Sequence, residues 1–149
     1  KETTQSELID KMSKLGAELI LEALKMVEEK KANFVSQDET KVTYAKKIEK
    51  IETKINWNEK ANKIIAKINA FHPNPGCWFK LNKTRVKVLK AKLVAKEGSP
   101  GTIIDDKFTI ACLENSIQIL ELQKEGKQNM SAEKFIIGNE IKVGQNLND

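Results

Sequence analysis

Few side chains in this 149-residue sequence could do covalent or metal chemistry, and their spacing argues against both. His72 is the single histidine, held between Phe71 and Pro73 with no Ser or Cys nucleophile pattern around it. Cys77 and Cys112 lie 35 positions apart, without the CxxC spacing of a zinc site and too few for a disulfide framework, so free, partly buried thiols are expected. Asp105-Asp106 falls between apolar runs and reads as a turn. Neither a phosphate-cradling glycine loop (G-x-x-x-x-G-K-[ST], G-x-G-x-x-G) nor a nucleophile elbow (G-x-S-x-G) occurs. No catalytic, cofactor-binding or metal-ligating residue is therefore assigned.

The side chains that do offer chemistry are the cations. Lys+Arg number 26 against 21 Asp+Glu, and every basic residue but Arg85 is lysine. The accompanying wealth of isoleucine and asparagine reads as the signature of an AT-rich genome, which would spread lysine evenly. The observed distribution is uneven. Residues 1–40 carry six lysines and nine acids, net −3. Residues 41–96 carry fourteen lysines and Arg85 against Glu49, Glu52 and Glu59, net +12. Residues 97–149 carry five lysines and nine acids, net −4. A +12 block between acidic flanks reads as a polyanion-facing surface; a merely solubilising lysine face is the alternative. Lysine is a point charge without arginine's planar fork, so such a surface suits backbone phosphates more than bases. Eight aromatics, several on core positions, are too few for single strands held by stacking, and structured RNA fits better.

The elements that must position these cations follow from periodicity. Residues 4–30 have the helical period, with Leu8, Met12, Leu15, Leu19, Ala23 and Met26 at three- and four-residue spacing and Ile9, Ile20, Leu24 and Val27 widening the face. Thr3, Thr4 and Ser6 are candidate caps. An apolar face this wide wants a partner, and with no initiating Met, chain is expected before Lys1. Residues 33–43 read as a connector. Residues 43–57 mix Lys46, Lys47, Lys50 and Lys54 with Ile48, Ile51 and Ile55, as a short helix or an extended tether.

A second helix is expected from an Asn58 cap, with Ala61, Ile64, Ile65, Ile68 and Phe71 on its buried stripe and Lys60, Lys63 and Lys67 opposite; His72-Pro73-Asn74-Pro75-Gly76 ends it. The period then changes to two. Cys77–Leu81 and Thr84–Val94 are predicted strands around an Asn82-Lys83 turn, with a β-bulge at Val88–Leu89. The bulge would put Arg85, Lys87, Lys90 and Lys92 all on the solvent face. Thr102–Ile104, Lys107–Cys112 and Ser116–Gln123 are three further predicted strands. Ser131 caps a short helix over Ala132–Ile137 that ends at Gly138. The expected fold is α+β: an N-terminal helix and linker, then a five-stranded antiparallel OB-like barrel with flanking helices. The predicted RNA-binding set is Lys46, Lys47, Lys50, Lys54, Lys63, Lys67, Arg85, Lys87, Lys90 and Lys92.

Several segments resemble one family. Gln37-Asp38-Glu39-Thr40-Lys41-Val42-Thr43-Tyr44-Ala45-Lys46-Lys47-Ile48 resembles the connector leaving the catalytic domain in the methionyl-tRNA formyltransferase family. Ile55-Asn56-Trp57-Asn58 is similar to its I-D-W-S helix start, and Phe71-His72-Pro73-Asn74-Pro75-Gly76-Cys77-Trp78 to its F-N-P-x-P-G-A-W loop. Pro100-Gly101-Thr102-Ile103, Leu120-Glu121-Leu122-Gln123-Lys124-Glu125-Gly126-Lys127 and Met130-Ser131-Ala132 resemble its C-terminal barrel, and Leu15-Gly16-Ala17-Glu18-Leu19 its last catalytic-domain helix. His72 and Cys77 depart from the family's Asn and Ala.

The resemblance implies a fragment: 1–36 as the terminal helix of the catalytic domain, 37–56 as a basic linker, and 57–149 as an OB-like tRNA-binding domain. It implies that the parent enzyme moves a formyl group from 10-formyltetrahydrofolate to the amine of initiator methionyl-tRNA, using an Asn, a His and an Asp in an N-terminal Rossmann-like domain. That constellation is outside this sequence, which alone should be inactive and hold no cofactor. The implied partners are initiator methionyl-tRNA and the N-terminal catalytic domain of the same polypeptide, with no metal or membrane, in the cytoplasm. No run nears the roughly 18 apolar residues of a membrane span, and residues 1–10 have no signal-peptide pattern. A related formyltransferase acting on another amine, or a stand-alone OB-like adaptor that binds no nucleic acid, are the alternatives.

Overall fold

The computed structural model describes residues 3–148, which divide into two units. In the unit Ser6–Ile48 the dominant element is α1, Gln5–Glu28. Glu7 in its first turn and Lys25 in its last complement the helix dipole. No residue of α1 is buried, and Leu8, Met12, Leu15 and Leu19 are each half-exposed or more. Its periodicity forms the helix, but nothing among the described residues covers the apolar face. A 3₁₀ turn, Glu39–Lys41, interrupts the following extended chain. Its cap is Asp38, which accepts from the Thr40 hydroxyl at 2.6 Å and the Thr40 N–H at 3.0 Å and pairs with Lys41 at 3.1 Å.

The second unit runs from Glu49 onward. It holds a 3₁₀ turn Lys50–Thr53, then α2 (Ala61–Ala70), β1 (Cys77–Leu81), β2 (Thr84–Val94), β3 (Thr109–Ala111), β4 (Ser116–Lys124), β5 (Asn129–Ser131) and α3 (Ala132–Ile137). The sheet is antiparallel, and β4 is its centre. One side of β4 pairs with β2 along its whole length; the other is shared end to end by β3, opposite Ser116–Gln118, and β5, opposite Glu121–Gln123. β1 pairs only with β2 among the five strands, and its other side meets the tether through a parallel bridge between Lys54 and Trp78.

The core is filled by one chain of rings. Trp57 meets Phe79 edge-on at 5.7 Å, Phe79 meets Phe108 edge-on at 6.2 Å, and Phe108 stacks on Phe135 at 5.9 Å. Each pair contributes about 0.5–1.5 kcal/mol beyond area burial, and together they bind the tether's end, the hairpin, the loop before β3 and α3. The α2 stripe Ala61, Ile64, Ile65 and Ile68 packs against them.

The α+β class, the five antiparallel strands, the two strands flanking Asn82-Lys83 and the Ser131-capped helix agree with the periodicity. Several details are corrected. The five strands do not close into a barrel, because β1 has no strand partner beyond β2. Thr102–Ile104 is not a strand: Thr102 and Ile103 make only isolated bridges to Asn146 and Ile110, because the hydrogen bonds of the segment are split, Thr102 O and Ile104 N–H to β3 and both backbone groups of Ile103 to the C-terminal chain. The short pairing Asn129–Ser131 supplies the fifth strand instead, and Lys107–Cys112 shrinks to Thr109–Ala111 around the Asp105 turn. Asn58 does not cap α2. The helix starts two residues later, at a Lys60 cap without a side-chain bond, because Glu59 O accepts from Leu113 N–H and Ala61 N–H donates to Glu114 O. Tertiary hydrogen bonds here override a good local cap. Leu93, one residue past the outward Lys92, is itself 46% exposed.

A candidate nucleic-acid interface on the hairpin

The tight turn at Asn82-Lys83 (φ 47° and 67°) sets the hairpin register: Leu81 faces Thr84, Lys80 faces Arg85, Phe79 faces Val86 and Trp78 faces Lys87. Cys77, Phe79, Leu81, Val86 and Val88 point into the core. Their alternates Trp78, Lys80, Arg85 and Lys87 therefore form the outer face. Register then shifts between Val88 and Lys90 and again before Ala91, and Leu89 is buried. That bulge takes up the phase slip and keeps Lys90 and Lys92 on the outer face with Arg85 and Lys87.

Trp78 organises this face. The Arg85 guanidinium carbon lies 4.2 Å from its ring centroid, a cation–π contact that contributes about 0.5–1 kcal/mol at a partly exposed site. The indole N–H donates to Lys50 O at 3.0 Å, and the Trp78 carbonyl accepts from Ile55 N–H at 2.8 Å. Lys87 Nζ donates to Pro73 O at 3.4 Å and lies 3.5 Å from Asn74 Oδ1. Its methylenes cross Gly76, where a Cβ would collide with them; Gly76 has φ +79°. Lys50, Arg85, Lys87 and Lys124 thus share an open groove of about 280 Å³ with one carboxylate residue, Glu125. No carboxylate lies within 4.0 Å of Arg85, Lys87, Lys90 or Lys92 among the described residues.

The eight predicted residues of the second unit are therefore not one patch. Lys50, Arg85 and Lys87 converge on the groove, and Lys90 and Lys92 extend the line along β2, opposite Glu121 and Gln118. Lys92 also borders a separate groove of mixed charge with Lys107, Asp106 and Glu133. Lys54 and Lys67 line a third groove, where Lys67 Nζ donates to Lys54 O at 3.3 Å. Lys63 is exposed on α2, and its neighbour Lys60 pairs with Glu114 at 2.5 Å. Lys46 and Lys47 are exposed in the other unit. Trp78 and Lys124 also border this face and stand outside the predicted set. Counting outward from Asn82-Lys83 pairs Trp78 with Lys87, so Trp78 was legible; the folding-back of β4 was not.

The groups with covalent potential are closed off. Burial raises both thiols, Cys77 and Cys112, to about 11, and both are free. No cluster of His, Cys, Asp or Glu able to hold a metal occurs among the described residues. No helix among them is long and apolar enough to cross a membrane.

Residues 47–140 match the family described as formyl transferase, C-terminal domain. The chain belongs to this family. It is 41% identical over 139 residues to the methionyl-tRNA formyltransferase of Rhodopseudomonas palustris strain BisB18, covering 91% of this chain and 45% of that protein. It is 39% identical over 145 residues to that of Bradyrhizobium diazoefficiens, covering 95% and 47%. The chain thus spans about half the length of the curated relatives it matches. Among solved structures, a variant of HypX from Aquifex aeolicus superimposes with TM-score 0.72 over 91% of this chain and 26% of that one, at 18% identity. HypX in complex with tetrahydrofolic acid gives 0.64 over 80% and 22%, at 21% identity. These likenesses show a shared fold.

Proposed function

We propose that this chain is the C-terminal part of a methionyl-tRNA formyltransferase and that its outer hairpin face binds and orients initiator tRNA by the phosphate backbone. The observation that carries the reading is the convergence of Lys50, Arg85 and Lys87 on one open groove, continued by Lys90 and Lys92, with no carboxylate partner within ion-pair distance among the described residues. The names of the relatives supply the RNA. A backbone-directed surface of lysines holds the acceptor arm without reading its sequence. The tether lysines Lys46, Lys47 and Lys54, with Lys63 and Lys67, add long-range attraction in this reading.

The parent enzyme would take its formyl group from 10-formyltetrahydrofolate in a preceding catalytic domain, and the uncovered face of α1 is the surface that domain would cover. On this division 1–36 ends the catalytic domain, 37–56 is the linker and 57–149 is the tRNA-binding domain of a cytoplasmic enzyme; the segment alone transfers no formyl group.

The test is the salt dependence of tRNA binding. Each phosphate neutralised contributes a slope of roughly −0.7 to −0.9 in log K against log salt. Replacing Lys46, Lys47, Arg85, Lys87 and Lys90 together by Ala should flatten that slope. An unchanged slope would sink the surface, and undetectable wild-type binding at low salt would favour the stand-alone adaptor.

A further inference from the structure

The only arginine among 26 basic residues lies on the outward-facing tryptophan, and the same indole holds the tether. Codon bias toward lysine makes an arginine informative where it survives. Arginine differs from lysine in stacking flat on a ring while its N–H edge stays available for a phosphate fork. Trp78 provides that ring. Its N–H is occupied by Lys50 O, a carbonyl that also accepts from the Thr53 hydroxyl at 3.0 Å. Its own carbonyl holds Ile55 N–H. Three chain segments therefore meet on one side chain: the tether turn Lys50–Thr53, β1 and β2. The other tryptophan, Trp57, is 2% exposed and takes no part.

We propose that Trp78 is a positioning residue for phosphate recognition: it fixes the Arg85 fork and the Lys50 ammonium in one groove, so that tether and strand bind the RNA backbone as a single preorganised cradle. The proposal rests on the RNA-binding reading above and deepens it. Both long side chains lose rotamer freedom when they immobilise a phosphate, and a cradle already assembled around the indole lowers that cost. Trp78 need not touch RNA to do this.

Two substitutions separate the indole's contributions in the 149-residue chain. Trp78→Phe keeps a ring under Arg85 and removes the donor to Lys50 O; Trp78→Leu removes both. Bulk tRNA is the probe, titrated from 50 to 200 mM salt, and circular dichroism checks that each variant is folded at the assay temperature. The slope should become shallower by about 0.7–0.9 for Trp78→Phe and by roughly twice that for Trp78→Leu. Arg85→Ala should cost several-fold in affinity in wild type and little in the Trp78→Leu background. Hydrogen exchange without RNA should show faster exchange over residues 49–55 in Trp78→Phe.

Wild-type binding with both variants unchanged in slope and exchange, or additive Arg85 and Trp78 effects, would overturn the Trp78 assignment alone. A wild-type chain that ignores tRNA at 50 mM salt would instead overturn the functional reading, while the exchange result would still decide whether the indole holds the tether.

Discussion

Gly76→Ala tests how far the backbone of the loop before β1 controls the groove. Gly76 has φ +79°, a region where a Cβ costs about 1–2 kcal/mol, and its N–H closes the loop on Phe71 O at 2.9 Å. The new methyl also meets Lys87 Cγ and Cδ. Those carbons belong to a flexible side chain, so the collision is relieved by swinging Lys87 away from Pro73 O, and the backbone strain remains. The unit holding Gly76 has about 100 residues, for which each kcal/mol moves the melting temperature by roughly 4–8 °C. Gly76→Ala should therefore melt about 4–16 °C below wild type and lose one phosphate contact's worth of salt slope, about 0.7–0.9. Lys87→Ala supplies the control, with the same loss of slope and a melting temperature close to wild type. Calorimetry and fluorescence-anisotropy titration of tRNA read the two effects. The reasoning fails if Gly76→Ala melts with wild type, or if it keeps the full slope while Lys87→Ala loses it.

Three further outcomes follow from local geometry. Asp105 accepts from Lys107 N–H and Thr109 N–H, each at 3.1 Å, and pairs with Lys96 at 2.7 Å. Partial burial pushes its carboxyl up, but the Lys96 and Thr109 hydrogen bonds outweigh that and hold it below the usual range. A depressed folded value means stability that is full above about pH 4 and lost as pH falls through it. Asp105→Asn should cost about 1.5–3 kcal/mol at neutral pH by urea titration and progressively less in acid; a constant difference down to pH 2 would contradict this. Cys77 and Cys112, at about 11, should resist a thiol reagent at pH 8 until the chain unfolds. Because folding raises them, their stabilising contribution is complete below the ordinary thiol range and falls as pH rises through 11, which alkaline melts would show. Lys83 adopts φ 67° at the second central position of the hairpin turn. Lys83→Gly should gain about 0.5–1 kcal/mol, and a lower melting temperature would refute the strain argument.

Much of the hairpin and little of its surroundings could be read from residue order. Alternation over Cys77–Leu81 and Thr84–Val94, with Asn82-Lys83 between, gave both strands and the bulge, because strand period and turn chemistry are local. The Asn58 cap failed for the opposite reason: its competitors, Leu113 N–H and Glu114 O, are more than fifty residues away. Thr102–Ile104 had strand character, but its hydrogen bonds are divided between β3, through Thr109 O and Ala111 N–H, and the distant C-terminal chain, through Gln145 O and Gly144 N–H, so no continuous ladder forms. Charge density likewise located a +12 block without saying which members of it converge.

The order of residues by itself determined the outer line of cations on β2. Period two with one bulge dictates that Arg85, Lys87, Lys90 and Lys92 share a face, whatever else the chain does. It also determined the family, through motifs whose order needs no coordinates. Only the tertiary structure decided that Lys50 joins that face while Lys54 and Lys67 turn to another groove. That choice rests on one indole N–H reaching a carbonyl 28 residues back, a contact that no local period encodes.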